Sequence, residues 1–237
     1  MPNRYFQRLA HSVYCVTAAY YTTGLAQAAQ PEVVPMAEET YHHEVFHNRY
    51  VAVYDVVLPP GAAMHYHAHS TNHLAVVIQA GSLRNEVIGR PARENSSGDA
   101  GSVIYIGAGP PHRQTNIGPA PIHFVAVEIL SSSVGSRGAG VEQRAAPGAQ
   151  AGCHVALEPD DVRVWQCLLP PGASAPSGER RGPFLRVPIS GGVLGADFVP
   201  AAEALAAGVP GWHEPQGDLS LHNHGTARLE LIDVEWK

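Results

Sequence analysis

The chain has 237 residues and 45% apolar content, enough to bury one large core or two modest ones. Its formal net charge is −6 with scattered basic residues, which argues against nucleic acid as a partner. Twenty-four glycines and 20 prolines favour short strands joined by tight turns over long helices.

Residues 1–30 read as an export signal. Arg4 and Arg8 give a positive start, a moderately apolar stretch follows, and Ala26-Gln27-Ala28 has the small-x-small form of a cleavage site. The competing reading is a short helical or disordered arm in a cytoplasmic protein. Cys15 follows Tyr14, which does not suit a lipoprotein signal. No other segment has the roughly 18 continuous apolar residues of a spanning helix. Apart from Cys15, the cysteines are Cys153 and Cys167; they either pair in an oxidising compartment or stay as two buried thiols.

Residues 31–48 are polar and mixed, and His42, His43 and His47 read as surface or packing residues. Tyr50–Leu58 is rich in β-branched and aromatic residues and stops at Pro59-Pro60-Gly61, a strand followed by a turn. Leu74–Gln79, Val103–Ile106 and Ile122–Leu130 read as further strands, and Asn85–Asp99 as a polar loop. Residues 131–152, poor in large apolar side chains, read as a linker. Beyond it the chain partly repeats. VAVYDVVLPPGA at 51–62 matches VRVWQCLLPPGA at 162–173 at seven of twelve positions. NIGPAPIHFVAVE at 116–128 matches NHGTARLELIDVE at 223–235 at five of thirteen, in the same order. The expectation is two copies of one β-domain, at 40–130 and 153–237. A helix over Ala201–Ala207 interrupts the second.

The 14 histidines are not spread evenly; most fall at 42–73 and 112–123. Residues two apart in a strand share a face, so His65, His67 and His69 form one row and His112, Gln114 and Asn116 another. If both rows face a barrel interior, imidazoles from separate strands meet and can hold an ion with an open position. The expected metal ligands are His67, His69, His73 and His112; His65 lies one pleat away. Imidazoles without thiolates select a divalent transition ion, Fe, Mn, Ni, Cu or Zn, and disfavour calcium and magnesium. Gln79, Tyr105, Gln114 and Asn116 are candidate substrate-pocket residues. No paired carboxylates, Ser-His-Asp order or phosphate-binding glycine loop is evident, no catalytic residue is assigned, and Glu86 and Glu94 are not read as a catalytic base.

These spacings resemble the cupins. The first cupin motif is Gly, five residues, His-x-His, three or four residues, Glu, six residues, Gly. Gly61, His67 and His69 match; His73 stands in place of the glutamate, and Gly81 arrives one residue late, after Ala80. The second is Gly, five residues, Pro-x-Gly, two residues, His, three residues, Asn. Gly101, Gly109, His112 and Asn116 match, with Gly107 for the proline. The resemblance covers residues 45–130 well and 155–237 weakly. It implies an all-β protein of two tandem jelly-roll barrels. In the second copy the ligand positions fall on Gly178, Arg180, Phe184 and Leu219, so that barrel is degenerate, packing on the first or stabilising a homodimer. His222 and His224 lie at the wrong offset. Some cupins use four histidines with this spacing, similar to manganese or iron sites associated with dioxygen. The resemblance therefore implies an Fe or Mn ion and a dioxygenase-like oxidoreductase acting on a small organic molecule. Fold alone does not decide this against a non-catalytic metal or ligand binder, or a metal-dependent isomerase or lyase.

Overall fold

A computed structural model describes residues 31–131, 142–178, 182–196, 202–215 and 220–237. The expected export signal, Arg180, Leu219, Ala201 and 132–141 of the expected linker lie outside the described residues. Glu32–Lys237 form one compact unit.

The chain is almost entirely β. In order, the strands are β1 (Val33–Val34), β2 (His42–His47), β3 (Val51–Leu58), β4 (Tyr66–His67), β5 (His73–Gln79), β6 (Ser82–Val87), β7 (Arg93–Ser96), β8 (Val103–Ile106), β9 (His112–Asn116), β10 (Ile122–Ile129) and β11 (Glu142–Ala145). The second half continues with β12 (Gly152–Leu157), β13 (Val162–Leu169), β14 (Ser174–Pro176), β15 (Phe184–Pro188), β16 (Gly192–Ala196), β17 (Glu203–Leu205), β18 (Gly211–His213), β19 (Ser220–Asn223) and β20 (Leu229–Trp236). The first barrel has a five-stranded sheet, β1-β4-β9-β6-β7, and a six-stranded sheet, β11-β8-β5-β10-β3-β2. The second has a five-stranded sheet, β12-β13-β20-β15-β18, and a four-stranded one, β14-β19-β16-β17. Two tandem jelly-roll barrels are thus in place.

Strands β3, β5, β8 and β10 read as near-continuous apolar runs because both faces of their sheet are buried. Ala52, Tyr54, Val56 and Leu58 of β3 face the interior of the first barrel with Phe124 and Ala126 of β10. The alternate residues Val51, Val53, Val125 and Val127 pack instead with Val162, Val164, Ile232 and Val234 of the second barrel. Each such side chain removed from water stabilises the fold by about 1.5–3 kcal/mol. The two barrels therefore share one core on this outer face of the sheet.

Three expectations are corrected. Asn85–Asp99 is not a loop: β6 and β7 form a hairpin, pairing Ser82 with Ser96 through Asn85 with Arg93. Several of its cavity-lining side chains are polar, so no apolar alternation marks it. The expected linker contains β11, which pairs with β8 from Glu142–Ile106 to Ala145–Val103. The expected helix at 201–207 carries β17, paired with β16. Helix propensity of Ala, Glu and Leu is a weak prior that sheet pairing overrides.

Candidate metal centre

The site sits where β4, β5, β9 and β10 approach one another inside the first barrel. Gly61, at φ 75, closes the Pro59-Pro60 turn after β3, a conformation glycine adopts without strain. Its amide bonds the Asn116 carbonyl at 2.9 Å, tying the turn to the end of β9. His67 on β4 is directly opposite His112 on β9. His73 on β5 is opposite Glu128 on β10.

The imidazoles of His67, His69 and His112 each offer a nitrogen within 4.8 Å of the others. Nitrogens sharing an ion at about 2.1 Å lie at most about 4.2 Å apart, so this grouping is of the size that coordination requires. Two rings have their orientation set from behind. His67 Nδ1 donates to the His65 carbonyl at 3.0 Å. His69 Nδ1 donates to Glu128, whose other oxygen accepts from Thr71 Oγ1 at 2.6 Å. In both, Nε2 is left for an ion, the usual role of such backing partners. The His73 ring stacks on that of His69 at 3.6 Å between centroids. Its Nδ1 is buried near the Thr71 carbonyl without a hydrogen bond of good geometry. His73 is not part of the His67–His69–His112 trio, and its ring is placed beside it through the stack on His69. His69, His73 and Glu128 form a second close trio, which includes the His69–Glu128 hydrogen bond itself.

Electrostatics keep these rings neutral. Burial, then the charge of His67, lowers His69 well below the usual histidine range. Burial and His69 bring His73 down to about 3. His112 is lowered by burial and by His69, His67, His73 and His42, and His67 by burial and His42. Neutral imidazole is the form that ligates metals. Burial raises the Glu128 carboxyl, opposed by His73 and Thr71.

The sequence missed three contributors. Glu128 supplies the carboxylate that His73 displaced from the motif; the only local signal was a charge at an inward position of an apolar strand. His42 is buried rather than on the surface, with its ring 4.8 Å from that of His67. It is held by Glu39 at 2.7 Å, which also accepts from the amides of Tyr41 and His65. Burial would raise Glu39, but those hydrogen bonds outweigh it and bring its carboxyl to about 2. His43 and His47 are exposed as expected.

Other expected positions fall elsewhere. His65 is exposed: β4 begins only at Tyr66 and ends at His67, so the three-histidine row is not a continuous strand. Among the pocket candidates, Gln114 lines the cavity beside His112 and donates to Asn85 at 2.9 Å. Gln79 is exposed at the end of β5. Asn116 is wholly buried and structural, donating to the carbonyls of Leu58 and Ala120. Tyr105 faces the other barrel, and its hydroxyl donates to Asp161 at 3.1 Å. Asp161 also accepts from Asn72, and Asn72 accepts from the Ala108 amide at 3.4 Å. The second barrel thereby braces both the residue before His73 and the loop before His112.

Among the described residues, both groups able to hold an ion lie in the first barrel. Strand register shows what replaced the site in the second. Phe184 is opposite Glu235 as His73 is opposite Glu128. Trp165 Nε1 donates to Glu235 at 2.9 Å, and the Trp165 ring lies 2.6 Å from where a Cβ on Gly178 would sit. On β15 and β20, Arg186 and Asp233 form two bonds of 2.9 and 2.8 Å. By the repeat offsets, these residues stand where the first barrel has Ala75 and Ala126. A buried ion pair fills the second barrel where the first is open. The rings of His222 and His224 meet edge to face at 4.2 Å, with His222 bonded to Ser174.

No family model matches the sequence, and no curated protein matches it. Solved structures do. AerE from Microcystis aeruginosa matches at TM-score 0.62 and 14% identity, over 81% of this chain and 90% of that one. The pirin YhhW from Escherichia coli, in complex with nickel(II), matches at 0.60 and 14%, over 83% and 91%. A single-residue variant of the oxalate decarboxylase of Bacillus subtilis matches at 0.56 and 15%, over 80% and 70%. The chain has the tandem cupin fold. At these identities the likeness shows the bicupin fold alone. The four-histidine cluster is this chain's own evidence about chemistry.

Proposed function

We propose that the first cupin barrel holds one divalent transition ion on His67, His69 and His112, with His73 as the fourth donor. We further propose that the protein is a mononuclear metal-dependent oxidoreductase, dioxygenase-like, acting on a small oxygenated organic molecule. The observation that carries this is the convergence of three neutral imidazoles, two of them backed through Nδ1, one of which, His112, lines a cavity of about 360 Å³. That volume lies in the range of small-molecule sites, about 300–1,000 Å³. An ion there supplies Lewis-acid polarisation of a substrate oxygen and, as Fe or Mn, a redox partner for dioxygen. The chain's own residues do the rest. His65 O and Glu128 hold two rings in orientation, Glu128 balances charge, and the apolar walls exclude water. The nickel held by the YhhW pirin supports a borderline ion on a similar barrel.

Oxygen-electrode measurements on Fe(II)- and Mn(II)-reconstituted protein, against diketones, phenols and thiols, test the activity. Uptake dependent on one class and abolished in His112→Ala is expected. No uptake with any class turns the reading toward a binding protein or an isomerase or lyase.

We also propose export, supported by the bonding of Cys153 to Cys167 across β12 and β13, since disulfides persist in oxidising compartments. Among the described residues no helix is long and apolar enough to cross a membrane.

A further inference from the structure

The cavity beside His112 has two chemically distinct ends. Its inner wall is apolar, built from Val77, Leu83, Ile104, Ile106 and Phe124. Its other lining residues include three arginines, Arg90, Arg93 and Arg144. They come from opposite sides. Arg93 is on β7, the edge strand of the five-stranded sheet, and Arg90 is in the turn before it. Arg144 is on β11, the edge strand of the six-stranded sheet. Two sheet edges therefore bring positive charge to one opening.

That charge is only partly balanced locally. Arg144 is paired with Glu142 at 2.5 Å, both about half exposed. Glu142 is the one carboxylate among the described lining residues. No carboxylate among the described residues pairs with Arg90 or Arg93. The nearby amides satisfy each other: Gln114 donates to Asn85, and Asn85 to Asn95. In a chain of net charge −6, three arginines around one cavity stand apart from the background. A lateral row of residues, Arg93 opposite Asn85 and Asn85 opposite Gln114, runs across three strands to β9, the strand that carries His112.

We propose that this cavity takes a carboxylate with an apolar body, the carboxylate held by Arg90 and Arg93, with Arg144 beside them. The apolar body lies along the inner wall, and the far end of the molecule faces His112. Arginine suits this task because its planar fork meets a carboxylate through two parallel bonds. The inference deepens the proposed function and rests on it only for what happens at the far end. The grip on the anion needs no metal.

The test is binding of matched acid and amide probes, benzoate against benzamide, cinnamate against cinnamamide and 2-naphthoate against 2-naphthamide. Dissociation constants are measured by ligand-observed NMR on chelator-treated and on Zn(II)-loaded protein. At least one acid is expected to bind about tenfold tighter than its amide, as a charge-assisted hydrogen bond requires. The double variant Arg90→Gln/Arg93→Gln is expected to lose that preference. Both residues are exposed, so its melting temperature stays at the wild-type value. No preference for any acid, or a preference that survives the double substitution, overturns the proposal. Metal content of the same samples keeps the two readings apart. Acid preference without bound metal removes the metal centre and leaves this inference standing; metal without acid preference does the reverse.

Discussion

Glu128→Gln is the most informative single change at the site. It keeps the shape of the side chain and removes its charge. Glu128 receives His69 Nδ1 on one oxygen and Thr71 Oγ1 on the other, and it faces His73 across the β5–β10 pair. The amide oxygen of glutamine can still accept one of those bonds, but its NH2 cannot accept the other. One charge-assisted hydrogen bond is worth about 1.5–3 kcal/mol, roughly 10- to 150-fold in an equilibrium constant. Backing partners of metal-bound histidines cost about 10- to 100-fold in affinity when changed. The two ranges overlap, so Zn(II) affinity is expected to fall by about 10- to 100-fold. Competition against a chelating fluorophore at pH 7.5 measures it. Affinity within a factor of about two of wild type would show that Glu128 does not orient His69, and the reasoning from its geometry would fail.

Three further outcomes are expected. Replacing Asp233 by Leu leaves the Arg186 guanidinium, only 7% exposed, buried without its partner. Urea unfolding should then show a loss of about 3–5 kcal/mol, largely restored in Arg186→Met/Asp233→Leu, with metal content unchanged in both. Lowering pH should destabilise the metal-free protein. His73 is at about 3 when folded against about 6.5 unfolded, so below 6.5 the unfolded chain takes up the proton first. Stability is flat above pH 6.5 and falls between there and about 3, with His73 alone accounting for about 2 kcal/mol at pH 5. Constant stability between pH 7 and 5 in chelator would contradict this. Reducing the Cys153–Cys167 bond, which closes a separation of 14 residues, should cost about 2–4 kcal/mol in the same unfolding assay; an unchanged midpoint counts against it.

The histidine cluster was legible because its spacing is local. His67 and His69 stand two apart, and His112 sits inside a glycine-marked turn-and-strand motif. Its supporting shell was not. Glu39 and His42 come from a polar stretch with no periodic signal, and only the fold brings them against His65 and His67. Glu128 lies in a strand whose apolar run masked its inward position. Tyr105 misled for a related reason: both faces of β8 are buried, and alternation cannot say which face looks into the cavity and which into the other barrel. The hairpin β6–β7 was hidden because several of its cavity-lining residues, Asn85, Arg93 and Asn95 among them, are polar. The internal repeat correctly marked the second copy, but only the strand register shows Arg186 and Asp233 standing where the first barrel has alanines.

The decisive measurement is elemental analysis of the protein purified without added chelator, as wild type, His67→Ala and His112→Ala. About one transition ion per chain is expected in the wild type, and far less in either variant, with both still folded by circular dichroism. A folded wild type with no bound ion after incubation with Fe(II), Mn(II), Ni(II) and Zn(II), or variants that keep a full complement, would contradict a metal centre in the first barrel.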